Sequence, residues 1–283
     1  MADRLAERSA RRDYEYDARK RLYLEYEPLR FHLLEAATSA REFIRNLAAL
    51  DMTRGIMDDG SRPRGDYFRT ACVYTLTMPA AYFKAIQQRL TLVDLAIDRA
   101  AHIQYVLGKE IIQIFARDGE IAENCNLKYT PYVYNWRELR INNPAQYRRQ
   151  GFAPGRLDNF LLSVLTNNAG PVVVAFGEFE AMLSQRSATD FKSAIGAAAD
   201  LFEEFTPQSR PVLWRILVCQ YILYGLLISC IRNTTTSKND LEALIDGIDT
   251  DVISIQNLDI EVLDVVKFMK NHLLSLINSQ IEK

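Results

Sequence analysis

An apolar stripe along the first part of the chain constrains its fold more than any other feature of the sequence. Its side chains recur at alternating gaps of four and three residues, which predicts one face of a helix from about Asp3 to Leu50. Pro28 lies inside the pattern without shifting its phase, so we expect a kinked helix or two coaxial helices that meet there. The stripe consists of Leu22, Tyr26, Leu29, Leu33, Ala36, Ala40, Phe43, Leu47 and Leu50.

Two more helices are predicted directly after this one, from about Asp66 to Ile97 and from Arg99 to Ala116. The first of them contains a second internal proline, Pro79. The segment 51–64 between the long helices is rich in Gly, Asp and Pro, which indicates a loop. Three adjacent amphipathic helices with short links favour an antiparallel bundle.

The last hundred residues also show helical periodicity. Predicted starts are a capping box at Ser187 and Asp190, an N-cap at Thr206 with Pro207 behind it, and a capping box at Ser237 and Asp240. A final amphipathic helix is expected from Asp259 to about Gln280. Its predicted buried side chains are Ile260, Leu263, Val266, Met269, Leu273, Leu276 and Ile277.

Composition supports the same fold class. The 283 residues are 48% apolar and 25% charged, with a net charge of -2 and only 12 Gly and 9 Pro. These values are typical of a globular protein with long helices and exclude collagen-like and disulfide-scaffold chains. The run 171–176 (PVVVAF) supports at most one short β-hairpin. We therefore predict an all-α fold with a long-helix bundle (1–123), a loop-rich basic and aromatic connector (124–170) and a second helical layer (171–283), or one continuous domain.

The connector concentrates cations and aromatic rings. Six basic residues lie between positions 128 and 156 against the single acid Glu138, interleaved with tyrosines, Trp136 and Phe152. Arginine supplies bidentate donors for phosphate or carboxylate, and aromatic rings supply stacking faces. The candidate binding residues are Trp136, Arg137, Arg140, Tyr147, Arg148, Arg149 and Arg156.

Three interpretations of the connector remain open. The first is an ordered loop whose aromatic rings hold it against the bundle. The second is a protein interface built on Arg and aromatic side chains, and the third is a nucleic-acid site. Its net charge of +5 is small beside a typical basic footprint for nucleic acid.

The segment Val212–Ile231 is the most apolar of the chain and has the length of a membrane span. Arg215 and Gln220 interrupt it, and no polybasic flank follows. We expect a buried core helix in which Arg215 pairs with an acid such as Glu203, Glu204 or a C-terminal carboxylate. Membrane insertion remains the alternative.

Few residues suggest catalysis or metal binding. The sequence contains no P-loop, dinucleotide-binding, nucleophile-elbow or zinc-protease motif and only three histidines. Asp94, Asp98 and His102 recur at four-residue spacing and would share a helix face if the second and third helices were continuous, which suits a divalent cation. The Asp98-Arg99 pair also resembles a helix junction, so we predict neither a metal nor a cofactor.

Four cysteines without metal-type spacing indicate a reducing, cytoplasmic setting, and 25 Arg against 9 Lys is common in bacteria of high GC content. The sequence predicts a non-enzymatic interaction protein, an adaptor or assembly subunit that self-associates or binds another protein. Alternatives are nucleic-acid binding through 128–156 and a membrane-active effector that exposes 212–231. A site assembled from distant residues would leave no local motif, so the sequence leaves an enzyme open.

Overall fold

A computed structural model describes residues 2–49, 65–91, 94–131, 144–166, 172–184, 194–202, 205–233, 237–247 and 260–281. Within these ranges the fold is all-α with a single two-stranded ribbon, which confirms the predicted class. The helices are α1 (Ala2–Ala49), α2 (Gly65–Arg89), α3 (Arg99–Ile114), α4 (Asp118–Asn124), α5 (Pro144–Tyr147), α6 (Pro154–Ser163), α7 (Phe176–Ser184), α8 (Ala194–Phe202), α9 (Pro211–Asn233), α10 (Lys238–Asp246) and α11 (Ile260–Leu276). A 3-10 turn (Leu95–Ile97) precedes α3, and a π turn (Ile277–Ile281) follows α11.

Helix α1 runs without interruption through Pro28, and its stripe is buried. The predicted burial is correct for Leu22, Tyr26, Leu29, Leu33 and Ala40, but it is wrong for Ala36, Phe43 and Leu47, which are only half-buried at the edge of the core. Leu50 lies outside the described residues. The fully buried side chains are Leu22, Tyr26, Leu29, Leu33, Ala37, Ala40, Ile44 and Ala48.

The change of phase follows from helix geometry. Leu22, Leu33 and Ile44 are 11 residues apart, as are Tyr26, Ala37 and Ala48. An 11-residue repeat corresponds to about 3.67 residues per turn, whereas a strict seven-residue repeat drifts by about 20° per heptad on a straight helix. The buried stripe therefore does not follow the seven-residue phase of a left-handed coiled coil.

Helix α2 packs against α1 in the antiparallel direction that the bundle prediction requires. Glu25 pairs with Arg89, and the His32 ring stacks on Tyr82 about two turns further along, with 5.6 Å between ring centroids. Pro28 removes the amide donor for the Leu24 carbonyl, but both residues are exposed, so water can replace that bond. Pro28 is therefore compatible with a continuous helix.

The predicted extension of the second helix to Ile97 is wrong. Helix α2 ends at Arg89, and the Thr91 hydroxyl donates to the terminal carbonyls of Gln88 at 2.8 Å and Gln87 at 3.3 Å. These bonds satisfy the last backbone carbonyls of α2, which would otherwise accept from the amides of a further helical turn. Asp98 then caps α3 by accepting a bond from the Ala101 amide at 2.9 Å, as the junction interpretation expected.

Helix α9 is the centre of the core. From Val212 to Gln220 every residue is buried, and the helix packs on α1, α3, α4, α10 and α11. The core interpretation of Val212–Ile231 agrees with this burial, whereas the predicted start at Thr206 and Pro207 is wrong. The Thr206 and Ser209 hydroxyls each accept a bond from the other's amide at 2.9 Å, which closes a separate turn before Pro211 begins the helix.

Arg215 is buried at 4% exposure, and its Nη1 donates to the Pro211 carbonyl at 3.2 Å. Its predicted partners Glu203 and Glu204 lie outside the described residues, so that pairing stays a prediction. By length and composition, α9 could also cross a membrane, but 89% of its apolar window is buried inside the protein. The central helix of a helical core has the same composition.

The smaller elements agree with the sequence in part. The ribbon pairs β1 (Leu165–Thr166) with β2 (Val172–Val173) in antiparallel register, and Ser237 caps α10 by accepting from the Asp240 amide at 3.1 Å. In α11 the predicted burial of Leu263 is wrong, since its side chain is 41% exposed and Val265 is buried instead. The loop at 51–64 and the capping box at Ser187 and Asp190 lie outside the described residues.

The phase of α1 can be tested by truncating two adjacent side chains. Ile44→Ala should cost about 2–5 kcal/mol of unfolding free energy, because it leaves a cavity in a fully buried position. Phe43→Ala removes a larger side chain but should cost less, since Phe43 is only half-buried. Urea unfolding measures the loss of unfolding free energy for both variants. A larger loss for Phe43→Ala than for Ile44→Ala would show that the seven-residue phase is correct here.

Candidate functional site

The structure describes only part of the predicted connector site. Trp136, Arg137 and Arg140 lie outside the described residues. Tyr147, Arg148 and Arg149 are half-buried and Arg156, in α6, is exposed. The described residues therefore differ in how much of each side chain a ligand could reach.

Arg149 points into the protein rather than towards solvent. Its Nε donates to the Gly151 carbonyl and its Nη2 to the Phe152 carbonyl, both at 2.9 Å, and Nη2 lies 3.4 Å from the Asp118 carboxylate. Gly151 is required here, because a Cβ at this position would lie 2.7 Å from the Asp118 Cβ. The hydrogen-bonding groups of Arg149 are thus used within the chain, as the ordered-loop interpretation expects.

Tyr129 and Asp118 complete this network. The Tyr129 hydroxyl donates to Asp118 Oδ2 at 2.7 Å and accepts from the Gln150 amide at 2.8 Å. Burial, and secondarily the bond to the carboxylate, raises the pKa of Tyr129 far above its ordinary value, so the phenol stays protonated and remains a donor. The network joins α4 to the end of the connector.

Gln150 connects the same network to the central helix. Its side chain is completely buried, and its Oε1 accepts from the Val212 amide at 2.8 Å and the Leu213 amide at 3.2 Å. These amides belong to the first turn of α9, which has no intrahelical acceptor for them. Sequence reasoning did not find this cap, because its two halves are more than sixty residues apart.

The predicted alignment of Asp94, Asp98 and His102 does not form, since α2 ends before them. Asp94 is exposed ahead of the 3-10 turn, whereas the Asp98 side chain is occupied by its cap and by the Tyr23 hydroxyl at 2.8 Å. The bond to Asp98, followed by burial, raises the pKa of Tyr23. Within the described ranges, no group of three or more His, Cys, Asp or Glu side chains could hold a metal ion.

A second polar cluster joins α3 to α11. Glu110 is buried at 3% exposure, and its Oε2 lies 2.8 Å from His272 Nε2 and 3.4 Å from Arg117 Nη2. Arg117 Nη1 lies 3.2 Å from His272 Nε2, and Arg117 Nη2 donates to Gln113 Oε1 at 2.8 Å. The His272 ring also stacks on Phe268 at 6.1 Å. A carboxylate and an imidazole in contact can exchange a proton. Here the Glu110 carboxylate, the His272 imidazole and the Arg117 guanidinium all contact one another, so their polar atoms are used within the cluster.

Three of the buried cysteines do not resemble nucleophiles. Burial raises the pKa of the Cys72 and Cys219 thiols well above the ordinary value and that of Cys230 to about 12. A thiol reacts as its thiolate, so these groups are inert at neutral pH.

Among the residues that the structure describes, the most exposed large apolar side chains lie on α1, on faces that avoid the buried stripe. Tyr16 is 70% exposed, Leu24 65% and Phe31 57%, and Tyr14 and Tyr23 are also exposed. Furthermore, no described side chain from Glu7 to Arg21 is buried. This N-terminal extension, residues 7–21, leaves the bundle as a helix of about four turns.

The chain matches no family model, no curated protein and no solved structure.

Removal of the Gln150 cap should destabilise the core. Gln150→Leu leaves the buried amides of Val212 and Leu213 without an acceptor, which should cost about 1–3 kcal/mol of unfolding free energy. Gln208→Leu is the matched control, because Gln208 is exposed. Chemical denaturation measures both variants, and equal stabilities would show that the cap contributes nothing.

The Glu110 cluster should contribute to stability in a similar way. His272→Phe preserves the ring on Phe268 but removes the bond to the buried Glu110 carboxylate, so we expect a loss of about 1.5–3 kcal/mol. The same change at His32, whose side chain is 52% exposed, should cost less than about 0.5 kcal/mol. A thermal-unfolding series in which His272→Phe melts like wild type would contradict a stabilising role.

Proposed function

We propose that the protein is a non-enzymatic helical interaction protein, an adaptor or assembly subunit, and that the exposed face of α1 binds its partner. The observation that carries this proposal is the exposure of Tyr16, Leu24 and Phe31 on a helix whose opposite face is buried from Leu22 onwards. Large exposed apolar and aromatic side chains grouped on one element are typical of interaction surfaces.

The N-terminal extension supports the proposal for an energetic reason. Isolated helices shorter than roughly 12–15 residues are marginal in water, because most helical stability in proteins comes from packing an apolar face. Residues 7–21 bury no described side chain, and the described ion pair within them, Arg11 with Glu15, is exposed. Exposed pairs of this kind contribute only about 0.3–0.5 kcal/mol. A partner that covers this segment would supply the missing packing.

Protein is a better match to this surface than nucleic acid. Arg8, Arg11 and Arg12 alternate with Asp13 and Glu15 on the extension, so phosphates would find no continuous basic track. In the connector, Arg149 bonds two backbone carbonyls, which weakens the nucleic-acid alternative for 128–156.

The membrane-effector alternative is weaker than the interaction proposal. Exposure of 212–231 to lipid would require α9 to leave the contacts that it makes with α1, α3 and α11. The free and buried state of the four cysteines agrees with a cytoplasmic setting, which we include in the proposal.

Photo-cross-linking in the expressing cells tests this function. A benzoylphenylalanine placed at Phe31 should form a covalent adduct with protein, because that side chain is 57% exposed on the proposed surface. The same group at Leu162, which is 41% exposed on α6, is the control. Absence of any protein adduct at Phe31, or equal adducts at both positions, would refute the proposal.

A further inference from the structure

The face of α1 that carries the exposed rings also carries a particular arrangement of charge. Tyr16, Lys20, Glu27 and Phe31, with Tyr23 and Leu24 between them, recur at gaps of three and four residues and so share one side of the helix. Lys20 lies towards the N-terminal end of this side and Glu27 towards the C-terminal end, with the apolar pair between them.

From this arrangement we infer that α1 pairs with the α1 of a second copy of the chain, antiparallel, about a two-fold axis between Tyr23 and Leu24. The inference rests on the proposed function and names the partner of that same face. In such a pair, a residue of one copy lies level with the residue of the other copy whose number, added to its own, gives 47. Tyr16 then packs on Phe31 of the other copy, and the two copies of Tyr23 and Leu24 surround the axis.

Charge complementarity selects this register. It places Lys20 opposite Glu27, a pair of opposite sign on the proposed face that occurs twice by symmetry, in addition to the ion pair that Glu27 makes with Arg30 of its own helix at 2.7 Å. A parallel pair in register would bring Lys20 against Lys20 and Glu27 against Glu27. An antiparallel pair centred between positions 27 and 28 would bring the two Glu27 carboxylates together at the axis.

The same register accounts for the N-terminal extension. Residue 21 of one copy lies beside residue 26 of the other, and residue 7 lies beside residue 40. Each extension therefore lies along the part of the other α1 that is already held in its own bundle by Leu29, Leu33 and Ala40. Phe31 and Glu35, on the receiving part, are exposed and accessible.

Single cysteine substitutions test the direction of pairing. The two copies of Leu24→Cys would be separated by about one residue along the helix axis and should form an intermolecular disulfide under mild oxidation, giving a species of twice the 32.4 kDa chain. Tyr16→Cys is the matched control, because its two copies would be separated by 15 residues, roughly 22 Å. It should cross-link only when Phe31→Cys is also present. The native cysteines are buried and do not compete.

Charge reversal with sedimentation analysis tests the register. Lys20→Glu and Glu27→Lys should each raise the dimer Kd by about tenfold, because each reverses two symmetric contacts. The double variant should return to the wild-type Kd, and Arg232→Glu, on an exposed residue of α9, should change nothing.

The outcomes distinguish this inference from the proposed function. A self-cross-link of Tyr16→Cys as strong as that of Leu24→Cys, or a double charge variant no better than the single ones, overturns the antiparallel pair. A monomer at every concentration, together with a Phe31 photo-adduct to a different protein, overturns self-pairing but keeps the interaction function. A monomer with no adduct overturns both.

Discussion

The burial of α9 on all sides is the constraint on which the rest of the fold depends. A helix that is apolar all round has no solvated face, so other helices must enclose it, and α1, α3, α4, α10 and α11 do so. Its polar atoms then need partners inside the core. Gln150 caps its first turn, and Gln220 donates to the Ile111 carbonyl at 2.7 Å. Because buried polar groups need hydrogen-bond partners, these bonds hold the connector and α3 against α9.

Close packing then determines how the neighbouring helices approach. At Gly108 a Cβ would lie 2.2 Å from the Phe83 ring, so α3 can contact α2 at this distance only because residue 108 has no side chain. On the other side, Arg41 of α1 lies 4.3 Å above the centre of the Tyr221 ring of α9. Such a cation over a ring contributes about 0.5–2 kcal/mol, depending on its hydration. Helices α1 and α9 therefore contact each other through the Arg41 guanidinium at the edge of the core.

Sequence periodicity predicted the elements that bury a long apolar face, namely α1, α2, α3, α9 and α11. It failed where the side chains of one or two residues determine where a helix begins or ends. Thr91 ends α2 by bonding its last carbonyls, and Thr206 with Ser209 forms a turn that delays α9 to Pro211. The phase of α1 beyond Leu33 depends on whether the helix supercoils, which depends on its partners. The Glu110–His272 contact joins residues 162 positions apart, and no local pattern indicates it.

The 11-residue repeat of α1 also bears on the N-terminal extension. The buried positions follow this repeat from Leu22 to Ala48, and no described side chain before Leu22 is buried. Continued backwards, the same repeat reaches Arg11 and Glu15, where the stripe is no longer apolar. The extension therefore presents charged side chains at these two positions, where the rest of α1 has buried ones. Its exposed rings, Tyr14 and Tyr16, project to different sides of the helix, because residues two apart are separated by about 200°. Neither ring continues the buried stripe, so any protein that packs on them must approach from outside the bundle.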